Sequence, residues 1–175
     1  MNETHNSTLT KNSSKTEMKI VYVALGSNID NPPQQLSQAV QELASLPQTN
    51  LIKTSTFYWT KPVGPQNQPN YLNGVAAIAS ALLPEELLTH LLAIEKKHHR
   101  TRTSERFGPR TLDLDLLLYD MDVINLPHLT IPHPRMKERN FVIYPLAEIA
   151  PDLVFPSGER IQSLMQGLEP LSRPL

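Results

Sequence analysis

Apolar and polar positions along this chain change period several times, and each change marks an element. KIVYVAL (19–25) is a short apolar run rich in β-branched and aromatic residues, and Gly26-Ser27-Asn28 closes it. That predicts a buried strand followed by a turn, with Gly26 as a turn residue. Asp30 or Asn31 then stands where a cap belongs, ahead of a helix opening at Pro32 or Pro33. Leu36, Ala39, Val40, Leu43 and Leu46 fall on one face of that helix. LIKTSTFYW (51–59) reads as a second strand, and a proline-rich connection leads to a third, YLNGVAAIASAL (71–82). Pro84, Glu85 and Glu86 open a second helix, with acids where the helix dipole favours them. It is expected to turn Leu87, Leu88, Leu91, Leu92 and Ile94 inward and to end near 98–100. TLDLDLLLY (111–119) is the fourth strand.

The order β-α-β-β-α-β predicts an α+β, ferredoxin-like core with helices packed on an antiparallel sheet. A C-terminal extension follows: a hairpin in DMDVINL (120–126), a loop with Pro127, Pro132 and Pro134, and short helical pieces over 135–140, 145–149 and 159–167. Residues 1–17 are dominated by Asn, Ser, Thr and Lys and carry too little apolar surface to fold, so a disordered tail before one domain over 18–175 is expected.

Charge and composition narrow the chemistry. A net charge of −1 argues against general binding to nucleic acid, which needs a strongly basic face. The absence of cysteine excludes disulfides, zinc–thiolate sites and thiol nucleophiles. No apolar run reaches the ~18 residues of a membrane helix, and the first residues lack the apolar stretch of a signal peptide. A cytoplasmic, monomeric protein without membrane partners is the expectation.

RFGPRTLDLDLLLYD (106–120) carries the most informative polar residues. In a strand, Leu112, Leu114, Leu116 and Leu118 share one face, and Thr111, Asp113, Asp115, Leu117 and Tyr119 the other. The two aspartates then project together, their Cα atoms about 6.5–7 Å apart. In a helix they would diverge by about 200° and leave neither face clean. Like charges held so close raise a pKa unless a cation lies between them. Mg²⁺ suits this arrangement, because it takes one or two carboxylates together with phosphate oxygens and water. Taken alone, the pair fits an exposed sheet face carrying D-L-D by accident equally well. Arg100, Arg102, Arg106 and Arg110 lie just before it, and guanidinium forks suit phosphate. Arg110, three residues before Asp113, has the strongest case. There is no glycine-rich phosphate cradle, so side chains and metal must hold any phosphates.

RFGPRTLDLDLL, VALGSN (23–28), TSTFY through KPVGPQNQPNYLNGV, and IPHPRMKERNFVIYPLAEIAPDLVFP together resemble the 6-hydroxymethyl-7,8-dihydropterin pyrophosphokinases, over roughly residues 20–160. The resemblance implies transfer of pyrophosphate from ATP to the pterin hydroxymethyl group, with release of AMP, as a step of folate biosynthesis. It implies that Asp113 and Asp115 hold two Mg²⁺ ions and act with Arg100 and Arg110 in catalysis. Arg100, Arg102, Arg110, Leu116, His133 and Arg139 would contact ATP. Thr60, Val63, Tyr71, Asn73, Asp113 and Phe141 would hold the pterin, its ring between Tyr71 and Phe141. Glu95 aligns with a position near the site, a solvated role being as plausible from the sequence. His98 and His99 match no such position and read as solvated helix-end residues. The chain departs from some members at Phe107, Leu92 and Pro134, where a tryptophan, a polar residue contacting adenine and a tyrosine can occur. The resemblance also implies that the loops at about 59–70 and 101–110 rearrange over substrates.

Two other readings share the scaffold. One is a non-catalytic nucleotide- or pterin-binding module, since fold alone does not set function. The other, an RNA-binding βαββαβ domain, lacks both the aromatic RNP motif and the basic face it needs.

Overall fold

A computed structural model of the chain describes residues 17–99, 108–172 and 174. The expected tail lies outside the described residues apart from Glu17.

The elements run β1 (Lys19–Ser27), α1 (Pro32–Ala44), β2 (Thr49–Thr54), β3 (Tyr58–Thr60), β4 (Tyr71–Ser80), α2 (Pro84–Lys97), β5 (Asp113–Tyr119), β6 (Ile124–Leu126) and β7 (Leu129–Ile131). A 3₁₀ turn (Met136–Glu138), α3 (Asn140–Ile149) and α4 (Ile161–Gln166) complete the chain. The main sheet has the order β2-β4-β1-β5, with β3 added beside β4, and every pairing is antiparallel. This is the ferredoxin-like arrangement that the element order predicts.

Periodicity explains which face each helix covers. Leu36, Ala39 and Leu43 of α1 and Leu87, Leu91 and Ile94 of α2 are buried in one cluster with Val21, Val23 and Leu25 of β1 and Leu112, Leu114 and Leu116. Each fully buried leucine contributes about 1.5–3 kcal/mol of transfer free energy. On the opposite face, Met136, Val142, Ile143, Leu146, Phe155 and Ile161 pack over Val75, Leu117 and Leu118. The C-terminal extension thus roofs part of the second face.

Several expectations need correction. The run 51–59 is two short strands, and both pair with β4. Between them Ser55 bonds back to Val75 through both its backbone N–H and its hydroxyl, and that local fastening breaks the strand. The expected hairpin in 120–126 is displaced: 120–122 only turn the chain, and the hairpin is β6 with β7. The first expected helical piece is a 3₁₀ turn, Met136–Glu138, and the second starts five residues earlier than expected, as α3 from Asn140, with Pro145 inside it. Burial of Val142, Ile143, Leu146 and Ala147 outweighs the hydrogen bond that proline removes, a loss of ~3 kcal/mol. Asn31 precedes α1 in a left-handed conformation (φ 64°), but its side chain makes no cap bond to the helix backbone. Leu46 lies beyond α1 yet still packs on the core. Leu92 is 38% exposed rather than turned inward. His98 is no solvated helix-end residue: it is 7% exposed, and its ring bridges Gln35 (2.5 Å) and Glu42 (2.6 Å) of α1.

The fourth strand starts at Asp113, two residues later than expected, and its alternation does not run through. A bulge opposite Tyr22 and Val23 leaves Leu117 without a partner, so Leu118 pairs with Tyr22 and Tyr119 with Val21. Leu118 therefore joins the second-face cluster and Tyr119 the first, the reverse of simple alternation. Asp113 and Asp115 precede the bulge and keep their shared face. No helix among the described residues is long and apolar enough to cross a membrane.

Candidate active site

A cavity of about 540 Å³ opens around β5, and residues from both sides of that strand line it. Asp113, Asp115 and Leu117 face it from the second sheet face, and Leu114 and Leu116 from the side that α2 covers.

Its floor is set where three strands lie side by side. Gly26 pairs with Asn73 on one side and Asp113 on the other. A Cβ on Gly26 would stand 3.0 Å from Asn73 Oδ1, 3.8 Å from the Tyr71 ring and 4.0 Å from Asp113 Cβ. Gly26 is therefore a strand residue kept bare so that these groups can converge, which corrects its reading as a turn glycine. Asn73 donates to Thr60 Oγ1 (2.7 Å), and the Tyr71 hydroxyl donates to the Gly108 carbonyl (2.9 Å). Asn28, only 2% exposed, fastens the surrounding loops. Its Nδ2 donates to Gln68 Oε1 (3.1 Å) and the Pro69 carbonyl (3.0 Å), and its Oδ1 accepts from the Arg110 backbone N–H (2.8 Å).

Arg110 reaches Asp113, Nη1 to Oδ1 3.6 Å. Burial pushes the Asp115 carboxyl up to about 7, the Asp113 charge adds to the rise, and Arg139 and Arg110 oppose it without cancelling it. A carboxylate pair held together with its repulsion only partly neutralised fits a hard divalent cation with oxygen ligands. Asp113 and Asp115 would hold it. Among the described residues no group of three or more His, Cys, Asp or Glu has the geometry of a protein-only metal site, so the remaining ligands would come from substrate and water.

His133 is placed by its backbone N–H, which donates to the Leu117 carbonyl (2.9 Å). Its Nδ1 accepts from the Arg135 N–H (3.2 Å), which puts the proton of a neutral ring on Nε2. Burial pushes its pKa down, as do the Arg139 and Arg135 charges, while Asp113 pulls the other way. A neutral imidazole with its proton on Nε2 results at pH 7. The Arg139 guanidinium lies 5.7 Å from the centroid of the Phe141 ring.

Of the residues singled out in the sequence, Thr60, Val63, Tyr71, Asn73, Arg110, Asp113, Asp115, Leu116, His133, Arg139 and Phe141 all line this one cavity. Arg100 and Arg102 lie outside the described residues, as do Arg106 and Phe107. Glu95 is 3% exposed, lines the cavity and accepts the Leu114 N–H (3.2 Å), so the solvated alternative fails. Sequence reasoning missed Lys61, Leu88 and the wall that Pro127, His128, Leu129 and Thr130 supply. The prolines at 127, 132 and 134 marked that stretch as a shaped loop, but nothing local tied it to the aspartates.

The sequence model of the family described as "7,8-dihydro-6-hydroxymethylpterin-pyrophosphokinase (HPPK)" matches residues 22–151. A 2-amino-4-hydroxy-6-hydroxymethyldihydropteridine pyrophosphokinase from Pseudomonas aeruginosa is 47% identical over 145 residues, which is 83% of this chain and 89% of that protein. The enzyme of the same name from Haemophilus influenzae is 48% identical over 149 residues, 85% and 92% of the two chains. Among solved structures, the wild-type HPPK-DHPS of Plasmodium falciparum with pteroate superposes with a TM-score of 0.68 at 12% identity. That likeness concerns the fold alone, and it covers 89% of this chain and 43% of the other.

Proposed function

The chain belongs to the 7,8-dihydro-6-hydroxymethylpterin-pyrophosphokinase family, whose reaction is pyrophosphoryl transfer to a pterin in folate biosynthesis, and from that premise we propose how this cavity performs it. ATP supplies the pyrophosphoryl group, and the hydroxymethyl oxygen of 6-hydroxymethyl-7,8-dihydropterin attacks its β-phosphorus. The bond from the β-phosphorus to the oxygen it shares with the α-phosphorus breaks, AMP leaves with that oxygen, and the proton of the attacking hydroxyl is released to solvent. Residues 18–175 act as a single domain, and one chain supplies the whole site.

The observation that carries this reading is the pair Asp113 and Asp115, side by side on the floor of a cavity that also collects Arg110, Arg139 and His133. Phosphoryl-type transfer asks little covalent chemistry of a protein; it needs reactants in line and charge neutralised on phosphate oxygens. Arg110 and Arg139, with Arg100 and Arg102, neutralise the triphosphate, and His133 donates its Nε2 proton to it. Asp113 and Asp115 would hold Mg²⁺, two ions in this reading, which would supply charge neutralisation for the phosphate oxygens. Leu116 lies against the nucleotide. The apolar end of the cavity, with Leu88, Leu92 and Leu129, suits a flat base better than a phosphate. At the other end, Tyr71 and Phe141 sandwich the pterin. Asn73, Thr60, Asp113 and the Val63 backbone hydrogen-bond its edge.

The test is direct. Protein, ATP, Mg²⁺ and hydroxymethyldihydropterin are mixed and the nucleotide product is resolved. AMP together with pterin diphosphate supports the reading; ADP overturns it in favour of single-phosphoryl transfer, and no turnover by a folded preparation overturns it in favour of a binding module.

A further inference from the structure

Glu148 sits on α3, outside the cavity, yet its carboxylate accepts three hydrogen bonds from one short stretch of chain. Oε1 accepts from the Thr56 backbone N–H (2.8 Å) and the Thr56 hydroxyl (2.7 Å), and Oε2 accepts from the Tyr58 hydroxyl (2.9 Å). Both oxygens are thus committed. Burial alone would raise this carboxyl's pKa, but the bonds from Thr56 and Tyr58 and the nearby Lys53 charge hold it below the usual range. The anion is the form that the arrangement favours.

Thr56 lies in the break between β2 and β3, and Tyr58 is the first residue of β3. β3 has three residues, with Tyr58 opposite Asn73, Trp59 opposite Leu72 and Thr60 opposite Tyr71. Strands this short, added at the rim of a sheet, hold their register weakly by backbone pairing alone. Its last residue, Thr60, accepts the Asn73 amide N–H (2.7 Å), which leaves Asn73 Oδ1 as the atom above Gly26. The path from Glu148 to the cavity is therefore short and fully bonded: carboxylate, Tyr58, β3, Thr60, Asn73.

We propose that Glu148 is a positioning residue for the pterin: by anchoring β3 from α3 it fixes Thr60, and through Thr60 the orientation of the Asn73 amide. The proposal rests on the pterin reading of this end of the cavity. It predicts a selective effect, because the bonds of Glu148 go to Thr56 and Tyr58 and so act on the Thr60 and Asn73 side of the cavity, not on Asp115, His133 or Arg139.

The experiment uses the full chain with ATP and hydroxymethyldihydropterin, measuring KM for each substrate and the binding of each alone by calorimetry. Glu148→Ala should raise the pterin KM about ten-fold, as expected when bonds to a charged acceptor are lost. The ATP KM should stay within about two-fold of wild type, since no bond of Glu148 leads to the phosphate end. Tyr58→Phe removes one of the three bonds without touching the carboxylate, and it keeps the test open should Glu148→Ala fold poorly. It should produce a smaller change of the same kind, and its effect should shrink when Glu148 is already alanine. Equal losses for both substrates, or a lowered Tm with unchanged pterin affinity, would reduce Glu148 to a structural residue and overturn the proposal. Wild-type protein that binds neither substrate overturns the functional reading and the proposal with it. Wild type that binds both while the variants match it overturns the proposal alone.

Discussion

The second face of the sheet has two ends that share the strands β1, β4 and β5 and behave differently. At one end Tyr22, Val75, Leu117 and Leu118 are packed under α3 and α4. At the other, Gly26, Asn73, Asp113 and Asp115 are left facing a cavity. The bulge opposite Tyr22 and Val23 separates the two ends of β5. Beyond it, two consecutive leucines reach the apolar cluster; before it, strict alternation puts both aspartates over the open part. One strand can thus serve packing and chemistry because a single extra residue resets its phase. The packed end supplies stability, and the open end spends some of it on carboxylates that repel.

Replacing either aspartate tests that division most severely. Asp113→Ala or Asp115→Ala should lower AMP formation by about a thousand-fold or more, the scale on which electrostatic groups act in transition states. The Tm of the metal-free protein should hold or rise. Unfolding of both variants would mean that the open end is structural after all.

Leu118→Ala is the mirror experiment. With Leu118 only 1% exposed, truncation should cost about 3 kcal/mol in denaturant unfolding. Turnover well below the melting transition should remain near wild type. Loss of kcat without loss of stability would erase the distinction between the ends.

A smaller effect follows from pH. With Asp115 raised to about 7, the folded chain keeps a proton that the unfolded chain releases near pH 4. The metal-free protein should therefore lose stability as pH rises from about 4 through about 7. Asp115→Asn should flatten that decline. A slope that is the same in both proteins would show that Asp115 does not cause it.

Gly26→Ala sharpens the comparison most finely. The new methyl would meet Asn73 Oδ1 at 3.0 Å, so the amide must shift. A rise of about five-fold in pterin KM is expected, equivalent to about 1 kcal/mol, with little change in Tm. Unchanged pterin affinity would show that the close approach at Gly26 is incidental.

What was legible in the sequence is what local chemistry dictates. The leucine row and the aspartates two apart read correctly as a strand presenting both acids together, because side-chain direction in an extended chain depends on parity alone. Pro32 and Pro84 marked both helix starts for a similar reason: a proline's missing N–H costs nothing in a first turn. The tertiary structure alone decided the rest. Whether Leu118 or Tyr119 faces α3 depends on how β5 registers against β1, nearly a hundred residues earlier. The burial of Glu95 against the Leu114 N–H of β5 and of His98 between Gln35 and Glu42 of α1 depends on which element α2 packs against. Gly26 looks like any turn glycine until Asn73 and Asp113 are brought to either side of it. Parity and helix capping act within a few residues, whereas register, burial and close approach belong to partners that only the finished fold brings together.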